Sequence, residues 1–471
     1  MVSRDRGVAF RTNIEGIHST SSDELKDAVL ARIADTHNVA SFVSFGPGPN
    51  PKLRFARMRT TEHDHLSLEG AIDRLFDAAD ERMVNVRSFK PGTKKSLEFV
   101  YGLRSNADVC ATIRRLALSG HYTIANETID VSDGGVSGVS YGGVVEFAPE
   151  DTPRCVEKPG VASLPKAEAL NLLGKVYGFH PKISLPGKRV EFSLHPGLRG
   201  VRREHTIFWE VERSVTSRIE PRLSWPNRFS EFLGDKAYGL LVANVLGLRV
   251  PRTRYFGRSL PPFEFGQATR TGDIWLRTCP YRQMPGKYPT VRGWTDPFKL
   301  MQGLGEQRED VRSIIVQDGV KSEWSGAAIA GIDGKPIIEG VSGFGDDFML
   351  GNRPPEEIPL VVSREVVSIY GRTARKIGPF RMEWAYDGAH VWVLQFHLGR
   401  TESSDLTIVA GQRPTWYRFN TKLGLEALRE LVEGQLAKDQ GIILEGSVGI
   451  TSHFADLLRR AGLPSKIEQI R

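Results

Sequence analysis

The sequence has few cysteines and no long apolar segment. Its 471 residues include three cysteines, Cys110, Cys155 and Cys279, which lie far apart and in no CxxC spacing. That pattern signals neither a disulfide framework nor a thiolate metal site, and it suits a reducing compartment. No apolar run approaches the roughly 20 residues that a membrane span needs, and the first residues lack an apolar signal core. We therefore expect a cytoplasmic protein with no membrane contact.

The sequence also lacks a strong excess of charge of one sign. It has 63 Lys and Arg residues against 56 Asp and Glu residues, a formal net charge of +7. This balance suits a small anionic ligand such as a nucleotide, and we expect no nucleic-acid partner. Hydrophobic residues make up 40% and charged residues 25%, as in ordinary globular proteins. A chain of this length is expected to form two or three domains.

The first part of the chain mixes helical and strand patterns. Helical spacing occurs in `SSDELKDAVLARIADTH`, `SLEGAIDRLFDAADERM` and `DVCATIRRLALSG`, and strand patterns occur in `HYTIANETIDV` and `GVSYGGVVEFAP`. These patterns predict an α+β domain. His180, His195 and His205 lack the spacing of helical metal ligands, so we interpret them as structural histidines. Two prolines in `EPRLSWPNRFSEF` favour a domain boundary near residue 225.

The segment `FLGDKAYGLLVANVLGLRVP` places Lys236 at the start of an amphipathic helix that ends at Gly247. The N-terminus of a helix carries partial positive charge and unpaired backbone N–H groups. A lysine at that end is well placed to hold an anion. A surface lysine is the alternative interpretation of this segment taken alone.

The segment `WLRTCPYRQMPGKYPTVRG` collects positive charge around a tight turn. Arg277, Arg282 and Lys287 supply the charge, and Gly286 lets the backbone approach a ligand closely. A polyphosphate would need such a set. An ordinary basic surface loop has the same composition, and this stretch alone does not distinguish the two.

The segments `RMEWAYD` and `HVWVLQF` are two alternating strands joined at Asp387 and Gly388, a strong hairpin signal. Glu383 and Gln395 then lie close together on one face of the hairpin. Their oxygen atoms are the kind of ligand that Mg²⁺ prefers. We therefore expect a metal site here that would bridge phosphate oxygens.

Near the end of the sequence, `LGLEALRELVEGQLAKDQ` predicts a helix, `GIILEGSVG` a strand and `ITSHFADLLRRAGLP` a second helix. Thr451 or Ser452 would cap the second helix, which puts His453 in its first turn. Backbone N–H groups and the helix dipole favour a phosphoryl group there. The positive potential of the helix N-terminus also disfavours the imidazolium ion, so the imidazole of His453 would stay neutral and could act as a nucleophile.

These segments resemble, in order, parts of the pyruvate phosphate dikinase and phosphoenolpyruvate synthase family. `LGDKAYGLLVANVLGLRVP` is similar to the opening of that family's ATP-grasp domain, and Arg277 falls on a phosphate-binding arginine. Met284, Pro285, Gly286 and Thr290 match the same phosphate-binding segment in order. The similarity extends to a hairpin in `IIVQDGVKSEWSGAAIAG`, which contains Gln317, and to a turn in `IIEGVSGFGDDFMLG`, with Asp346 at its acidic position.

Two later segments also resemble this family. `FRMEWAYDGAHVWVLQFHLG` is similar to its metal-binding hairpin, and `ITSHFADLLRRAGLP` to its phosphohistidine motif, with His453 on the phosphorylated histidine. This chain has Arg381 where the family has an aspartate, and His397 where the family has an arginine. The resemblance covers about half of the chain, so pyruvate chemistry is not carried over.

The resemblance implies three domains: residues 1–225 of unknown role, residues 226–400 as an ATP-grasp core, and residues 401–471 as a short phosphohistidine-like segment. It implies ATP and Mg²⁺ as cofactors. The nucleotide-contacting residues would be Lys236, Arg277, Met284, Gly286, Lys287, Gln317, Asp346, Glu383 and Gln395, and the last two would hold the metal.

On this interpretation the protein is an ATP-dependent, dikinase-like phosphotransferase. Lys236 and Arg277 would neutralise the triphosphate, and His453 would pass a phosphoryl group to an acceptor that the sequence does not identify. Two alternatives stay open. One is a kinase or ligase that acts directly from ATP, and the other is a non-catalytic ATP-binding regulatory module.

Overall fold

In the residues that the structure describes, the protein has an α+β architecture, as the sequence patterns predicted, and its strands form five sheets. A computed structural model describes residues 25–59, 66–92, 97–153, 158–183, 185–213, 220–221, 224–282, 287–288, 290–399, 403–404, 406–437 and 439–468. Its contacts divide the chain into two compact units, Met1–Ile129 with Gly200–Arg202, and Asp130–Arg199 with Arg203–Arg471. Among the described residues, no helix combines the length and hydropathy needed to cross a membrane.

The first unit contains one antiparallel sheet. Its elements are α1 (Lys26–Ala34), β1 (Phe42–Phe45), β2 (Leu53–Arg57), α2 (Leu68–Ala78), β3 (Val84–Phe89), β4 (Phe99–Leu103), α3 (Asn106–Leu118) and β5 (Tyr122–Glu127). The strand order is β2-β1-β5-β3-β4. Helices α2 and α3 start after Ser67 and Ser105, because each serine side chain accepts a hydrogen bond from a backbone N–H three residues on. Their apolar faces cover one side of the sheet.

The second unit begins with another antiparallel sheet, of order β10-β9-β6-β7-β8. Its elements are β6 (Val136–Tyr141), β7 (Val144–Pro149), β8 (Ala162–Pro165), α4 (Lys166–Tyr177), β9 (Lys188–Arg199) and β10 (Glu204–Arg213). Strands β6 and β7 form a hairpin across Gly142 and Gly143, whose φ angles are 54° and 86°. Two positive φ angles in a two-residue turn favour glycine, which has no Cβ atom, and both turn residues here are glycines.

The third sheet has the order β12-β11-β15-β13-β14. Its segment of the chain contains α5 (Arg228–Leu233), α6 (Asp235–Val245), β11 (Thr253–Gly257), β12 (Phe263–Phe265), β13 (Ile274–Pro280), β14 (Thr290–Arg292), α7 (Pro297–Gln302), a 3₁₀ turn (Gly305–Glu309) and β15 (Val311–Asp318). Helix α6 follows Gly234, which has a φ of 92°. A Cβ atom there would lie 2.6 Å from the Cys279 carbonyl oxygen, so glycine lets the start of α6 sit against β13.

The fourth sheet has the order β17-β16-β18-β19. Its elements are β16 (Trp324–Ala330), β17 (Pro336–Ser342), α8 (Asp346–Met349), α9 (Leu360–Ile377), β18 (Phe380–Tyr386) and β19 (Val391–Leu398). The hairpin predicted in `IIVQDGVKSEWSGAAIAG` is wrong, because β15 pairs with β11 and β13, whereas β16 pairs with β17 and β18. Residues 319–323 lead the chain from one sheet to the next. Both strands are buried apolar runs, and such runs do not identify their partners.

The fifth sheet has the order β20-β23-β22-β21, with the last three strands parallel. Its elements are β20 (Thr407–Val409), β21 (Thr415–Asn420), a 3₁₀ turn (Thr421–Leu423), α10 (Leu425–Glu430), a π turn (Leu431–Gln435), β22 (Gln440–Glu445), α11 (His453–Ala461) and β23 (Ser465–Glu468). Helix α10 is shorter than predicted, because the α-helical hydrogen bonding gives way to the π turn after Glu430. Helix α11 follows the carboxyl end of β22, which places His453 at that edge of the sheet.

The contacts do not divide the chain at the predicted boundaries. The division falls after Ile129, so that residues 130–199 group with the later part of the chain. Phe147 of β7, for example, packs edge-on against Phe229 of α5, with ring centroids 5.0 Å apart. The three domains 1–225, 226–400 and 401–471 therefore stay a prediction.

Candidate functional site

A cleft lies between the third and fourth sheets and holds four of the predicted site residues. It encloses about 600 Å³ of space, open solvent included. Arg277 on β13 and Gln317 on β15 line one side, and Asp346 at the start of α8 and Glu383 on β18 line the other. Apolar side chains complete the wall: Trp275, Val320, Phe344, Met349, Trp384 and Leu394. A concave, partly apolar cleft with a few convergent polar groups is the usual form of a small-molecule site.

Two cations are close to each other here: Arg277 lines the cleft, and Lys236 interacts electrostatically with Arg277. Lys236 is the second residue of α6, as predicted, and its electrostatic neighbours include Arg277 and Glu383. Burial lowers the pKa of Lys236, and the positive charge of Arg277 acts in the same direction. Within the described part of the chain, neither cation forms an ion pair, and Nε of Arg277 has no hydrogen-bond partner. Positive charge that the protein does not neutralise favours an anionic ligand.

A β-bulge connects the two sides of the cleft. Glu383 pairs with Gln395 and Trp384 pairs with Val393, so Leu394 is an extra residue in β19. The Leu394 carbonyl accepts a hydrogen bond of 3.0 Å from Nη1 of Arg277. The bulge therefore presents a backbone acceptor from the fourth sheet to an arginine of the third sheet, which holds that guanidinium at the cleft.

Glu383 and Gln395 lie directly opposite each other on β18 and β19, which confirms the predicted hairpin register. Oε1 of Glu383 is buried and has no hydrogen-bond partner, so this carboxylate oxygen suits a cation. The buried Gln395 places Nε2 3.4 Å from Nε2 of His397. No group of three or more His, Cys, Asp or Glu side chains could hold a metal in the described residues. Mg²⁺ here would complete its coordination with phosphate oxygens and water.

His453 interacts electrostatically with Glu383, although the two are 70 positions apart in the chain. Burial lowers the pKa of His453, and Arg381 and Lys236 lower it further, whereas Glu383 and Asp456 raise it. Nδ1 of the imidazole has no hydrogen-bond partner among the described residues. His453 thus interacts electrostatically with two other predicted site residues, Glu383 and Lys236.

Ser452 is the cap of α11, and its Oγ accepts a hydrogen bond of 3.4 Å from the N–H of Ala455. Thr451 has a different role. Its hydroxyl donates to Oε2 of Glu339 at 2.8 Å. Glu339 on β17 was missed by the sequence interpretation, because its partner lies 112 positions later in the chain and no local pattern connects the two.

The two positions that depart from the family pattern are both buried and both paired. Arg381 contacts Asp456 of α11 at 2.7 Å, and His397 contacts Asp235 of α6 at 3.2 Å. Oδ1 of Asp235 also accepts a hydrogen bond of 2.6 Å from Nε1 of Trp225. Both side chains therefore make buried contacts that join separate elements of the fold.

The predicted basic turn contributes less to the described cleft. Met284 and Gly286 lie outside the described residues. Lys287 is not among the residues lining the cleft; its Nζ lies 4.0 Å from Asp310 and 5.6 Å from the ring centre of Tyr288. Whether the turn contacts a phosphate stays a prediction.

A second polar cluster resembles a hydrolase triad but is sealed. His195 places Nδ1 2.8 Å from Asp133 and Nε2 2.8 Å from Oγ of Ser193. Nε1 of Trp209 donates to the same Oγ at 2.7 Å. Ser193 is 1% exposed, so a substrate cannot reach it. His195 is a structural histidine, as expected.

No protein-family model and no curated protein matches the chain. Among solved structures, the D-alanine–D-alanine ligase of Helicobacter pylori has a TM-score of 0.25 and 10% identity over 36% of this chain and 53% of that chain. A RimK domain ATP-grasp protein of Sphaerobacter thermophilus has a TM-score of 0.22 and 17% identity, over 36% of this chain and 58% of its own.

An L-amino acid ligase of Bacillus licheniformis has a TM-score of 0.25 and 12% identity, over 37% of this chain and 43% of its own. This chain therefore matches less than two thirds of each of these proteins. Two of the three are named as ligases, and none of the three is named as a dikinase. Likeness at this level establishes neither a fold nor an activity for this chain.

Proposed function

We propose that the protein is an ATP-dependent phosphoryl-transfer enzyme of the ATP-grasp type, which binds Mg²⁺ and ATP in the cleft between the third and fourth sheets. One observation carries the proposal: Arg277 and Glu383 line one cleft, and Lys236 and His453, from two other segments, both interact electrostatically with Glu383. Each has the chemistry that ATP-dependent phosphoryl transfer requires there.

The charges of the cleft suit a triphosphate with a metal ion. In the described part of the chain, Lys236 and Arg277 form no ion pair, and the buried Oε1 of Glu383 accepts no hydrogen bond. Glu383 would hold the Mg²⁺ ion, and Lys236 and Arg277 would bind the phosphates. The apolar wall at Trp275 and Phe344 would take the flat base. The bound metal would supply charge stabilisation to the transferring phosphoryl group.

For the transfer itself, the position of His453 supports a histidine intermediate. A nitrogen of the neutral imidazole would attack a phosphorus atom of ATP, forming a P–N bond as the P–O bond to the departing nucleotide breaks. The imidazole N–H proton would leave in the same step or after it. The phosphoryl group would then pass to an acceptor that stays unidentified.

A second candidate is direct transfer from ATP to a substrate, as in a kinase or a ligase. The observation that favours it is that several hydrogen bonds hold the segment before His453 in place. The backbone of Ile450 and Thr451 is held by Glu339, Arg381 and Arg459. A histidine carrier that served a distant acceptor site would first have to break these contacts.

Labelled ATP tests both routes. If His453 carries the phosphoryl group, incubation with ATP labelled at the β or γ position leaves label on the protein, labile to acid and stable to base. The His453→Ala variant should bind ATP as the wild type does but retain no label. A dikinase-type site would pass on the β-phosphate, release AMP and lose the γ-phosphate to water or inorganic phosphate, whereas a kinase-type site would transfer the γ-phosphate and leave ADP.

Other results would change the assignment. Equal ATP consumption by wild type and His453→Ala, with no label retained, would make direct transfer the better account. Hydroxylamine trapping would then show whether an acyl phosphate forms. Tight ATP binding without any turnover would indicate a regulatory module, and absence of Mg²⁺-dependent ATP binding would contradict the proposed site.

A further inference from the structure

Glu339 occupies the same row of the fourth sheet as the proposed metal ligand. Ala327 of β16 pairs with Glu339 on one side and with Glu383 on the other, and Glu383 pairs with Gln395. Directly paired residues of antiparallel strands point to the same face. Glu339 and Glu383 therefore flank a small alanine on the face that His453 approaches.

The carboxylate of Glu339 accepts three hydrogen bonds from the turn before His453. Its Oε1 accepts from the N–H of Ile450 at 3.1 Å, and its Oε2 accepts from the N–H and the hydroxyl of Thr451, each at 2.8 Å. A Cβ atom on Gly449 would collide with Oε2 of Glu339, so the close contact between Glu339 and this turn depends on glycine at that position.

Two arginines hold the carbonyl groups of the same turn. Nη1 of Arg459 donates to the Ile450 carbonyl at 2.8 Å, and Nη2 of Arg381 donates to the Thr451 carbonyl at 3.1 Å. Every backbone polar group of Ile450 and Thr451 is thus bonded to a charged side chain. Hydrogen bonds to charged groups are the strong class, so the turn has little freedom to rotate.

We propose that Glu339 and Arg381 are positioning residues that hold His453 against Glu383 and Lys236. The proposal rests on the proposed function of His453. Only Ser452 separates this turn from His453, the first residue of α11. The conformation of the turn therefore sets the direction in which the imidazole points. A loosened turn would move the imidazole away from the reacting phosphorus atom, and a displacement of about 1 Å can cost roughly 100-fold in rate.

A purely structural role would have a different signature. If Glu339 only fastens the fifth sheet, its loss lowers the stability of the protein and leaves the environment of His453 unchanged in the folded molecules. The test therefore needs a direct report on the imidazole. The pKa of His453 is such a report, because the turn keeps the ring buried among Glu383, Asp456, Arg381 and Lys236.

The variants are chosen in matched pairs. Thr451→Val removes one donor to Glu339 and keeps the side-chain shape, and Thr451→Ser keeps the hydroxyl and serves as the rescue. Glu339→Gln removes the charge. Asp333→Asn is the control, because Asp333 is an exposed carboxylate on the turn between β16 and β17, away from the histidine. The intact chain is used throughout, with ¹³C-labelled histidine and the His453 signal assigned by its loss in His453→Ala.

We expect Thr451→Val and Glu339→Gln to bind ATP with wild-type affinity. The pKa of His453 should rise towards the ordinary value of about 6.5, because the released ring gains water. Labelling of His453 by ATP should slow by roughly 10- to 100-fold. Thr451→Ser and Asp333→Asn should match the wild type in all three measurements.

Two results would overturn the proposal: an unchanged pKa of His453 in both Thr451→Val and Glu339→Gln, or wild-type labelling rates in both. If Glu339→Gln does not fold, Thr451→Val decides the question alone. Failure of the proposed function is recognised separately. In that case the wild type itself takes no label, while the pKa comparison still shows whether the turn positions the ring.

Discussion

The buried ion pair between Arg381 and Asp456 gives the sharpest prediction about stability. Both side chains are less than a tenth exposed, and their charged groups are 2.7 Å apart. They join β18 to α11, so the pair connects the fourth and fifth sheets. We consider Arg381→Met, which keeps length without charge, and Asp456→Asn, which keeps shape without charge.

The two single variants should differ in how far they lower the free energy of unfolding. Breaking a buried pair costs about 3–5 kcal/mol, because an uncompensated charge stays behind. Arg381→Met leaves Asp456 with Arg460 at 3.1 Å, so we expect the lower end of that range. Asp456→Asn leaves the buried Arg381 with the Thr451 carbonyl and with two other arginines nearby, so we expect the upper end. The double variant should cost at least about 2 kcal/mol less than the sum of the two singles.

Urea unfolding followed by tryptophan fluorescence measures these costs in the correct part of the chain. All eight tryptophans, from Trp209 to Trp416, belong to the second unit, so the signal reports on that unit alone. Arg418→Met is the matched control. Arg418 forms an exposed ion pair with Glu468 at 2.8 Å, and its loss should leave the midpoint nearly unchanged.

The pH dependence supplies a second check. The arginines around Asp456 hold the pKa of that carboxyl far below its usual range. A depressed folded-state pKa contributes stability that is complete above the unfolded pKa of about 3.9 and is lost as the pH falls below it. The penalty of Asp456→Asn should therefore be constant from neutral pH down to about 5 and shrink below about 4. Additive costs in the double variant, or a penalty that does not shrink in acid, would refute this reasoning.

Three further predictions concern the cleft. Lys236→Ala and Arg277→Ala should each weaken ATP binding by roughly 10- to 150-fold in calorimetry, because each removes a charge-assisted phosphate contact; unchanged affinity in both would remove the site assignment. Glu383→Gln should bind nucleotide but lose turnover, and wild-type rates would place the metal elsewhere. Labelling of His453 should be lost at a lower pH than the titration of an ordinary histidine, because burial lowers the pKa of this imidazole; a loss of labelling with a midpoint at or above the ordinary value of about 6.5 would contradict this.

Several local features could be predicted because they depend on neighbouring residues. The start of α11 follows from Ser452 as an N-cap, and the facing positions of Glu383 and Gln395 follow from strand alternation and the turn at Asp387 and Gly388. In each case the deciding interaction spans a few residues or one hairpin. Periodicity and turn chemistry therefore contain the information.

Other features depend on pairings between distant segments, and the sequence pattern does not encode them. Strand β15 pairs with β11, which lies some sixty residues earlier, instead of with the adjacent β16. Both candidates are buried apolar strands, so local composition cannot choose between them. Glu339 likewise resembles any polar residue on an alternating strand until the turn at Ile450 and Thr451 is folded against it.

Arg381 and His397, the two positions that differ from the resembled family, act together in the structure. Arg381 and His397 are cross-strand partners on β18 and β19. This cross-strand pair is called the rung below. Arg381 of the rung contacts Asp456 in the first turn of α11, and His397 contacts Asp235, the first residue of α6. A carboxylate in the first turn of a helix is favoured by the helix dipole, and each of these carboxylates also receives a partner from the rung.

These two helices carry the residues of the proposed chemistry. Lys236 follows Asp235 in α6, and His453 precedes Asp456 by less than one turn in α11. One hairpin rung therefore fastens both helix starts to the sheet that also presents Glu383. Each side chain of this pair has a carboxylate partner of its own, Asp456 for Arg381 and Asp235 for His397. Reversing one position alone, as in Arg381→Asp, would place two carboxylates together and release the helix that carries His453.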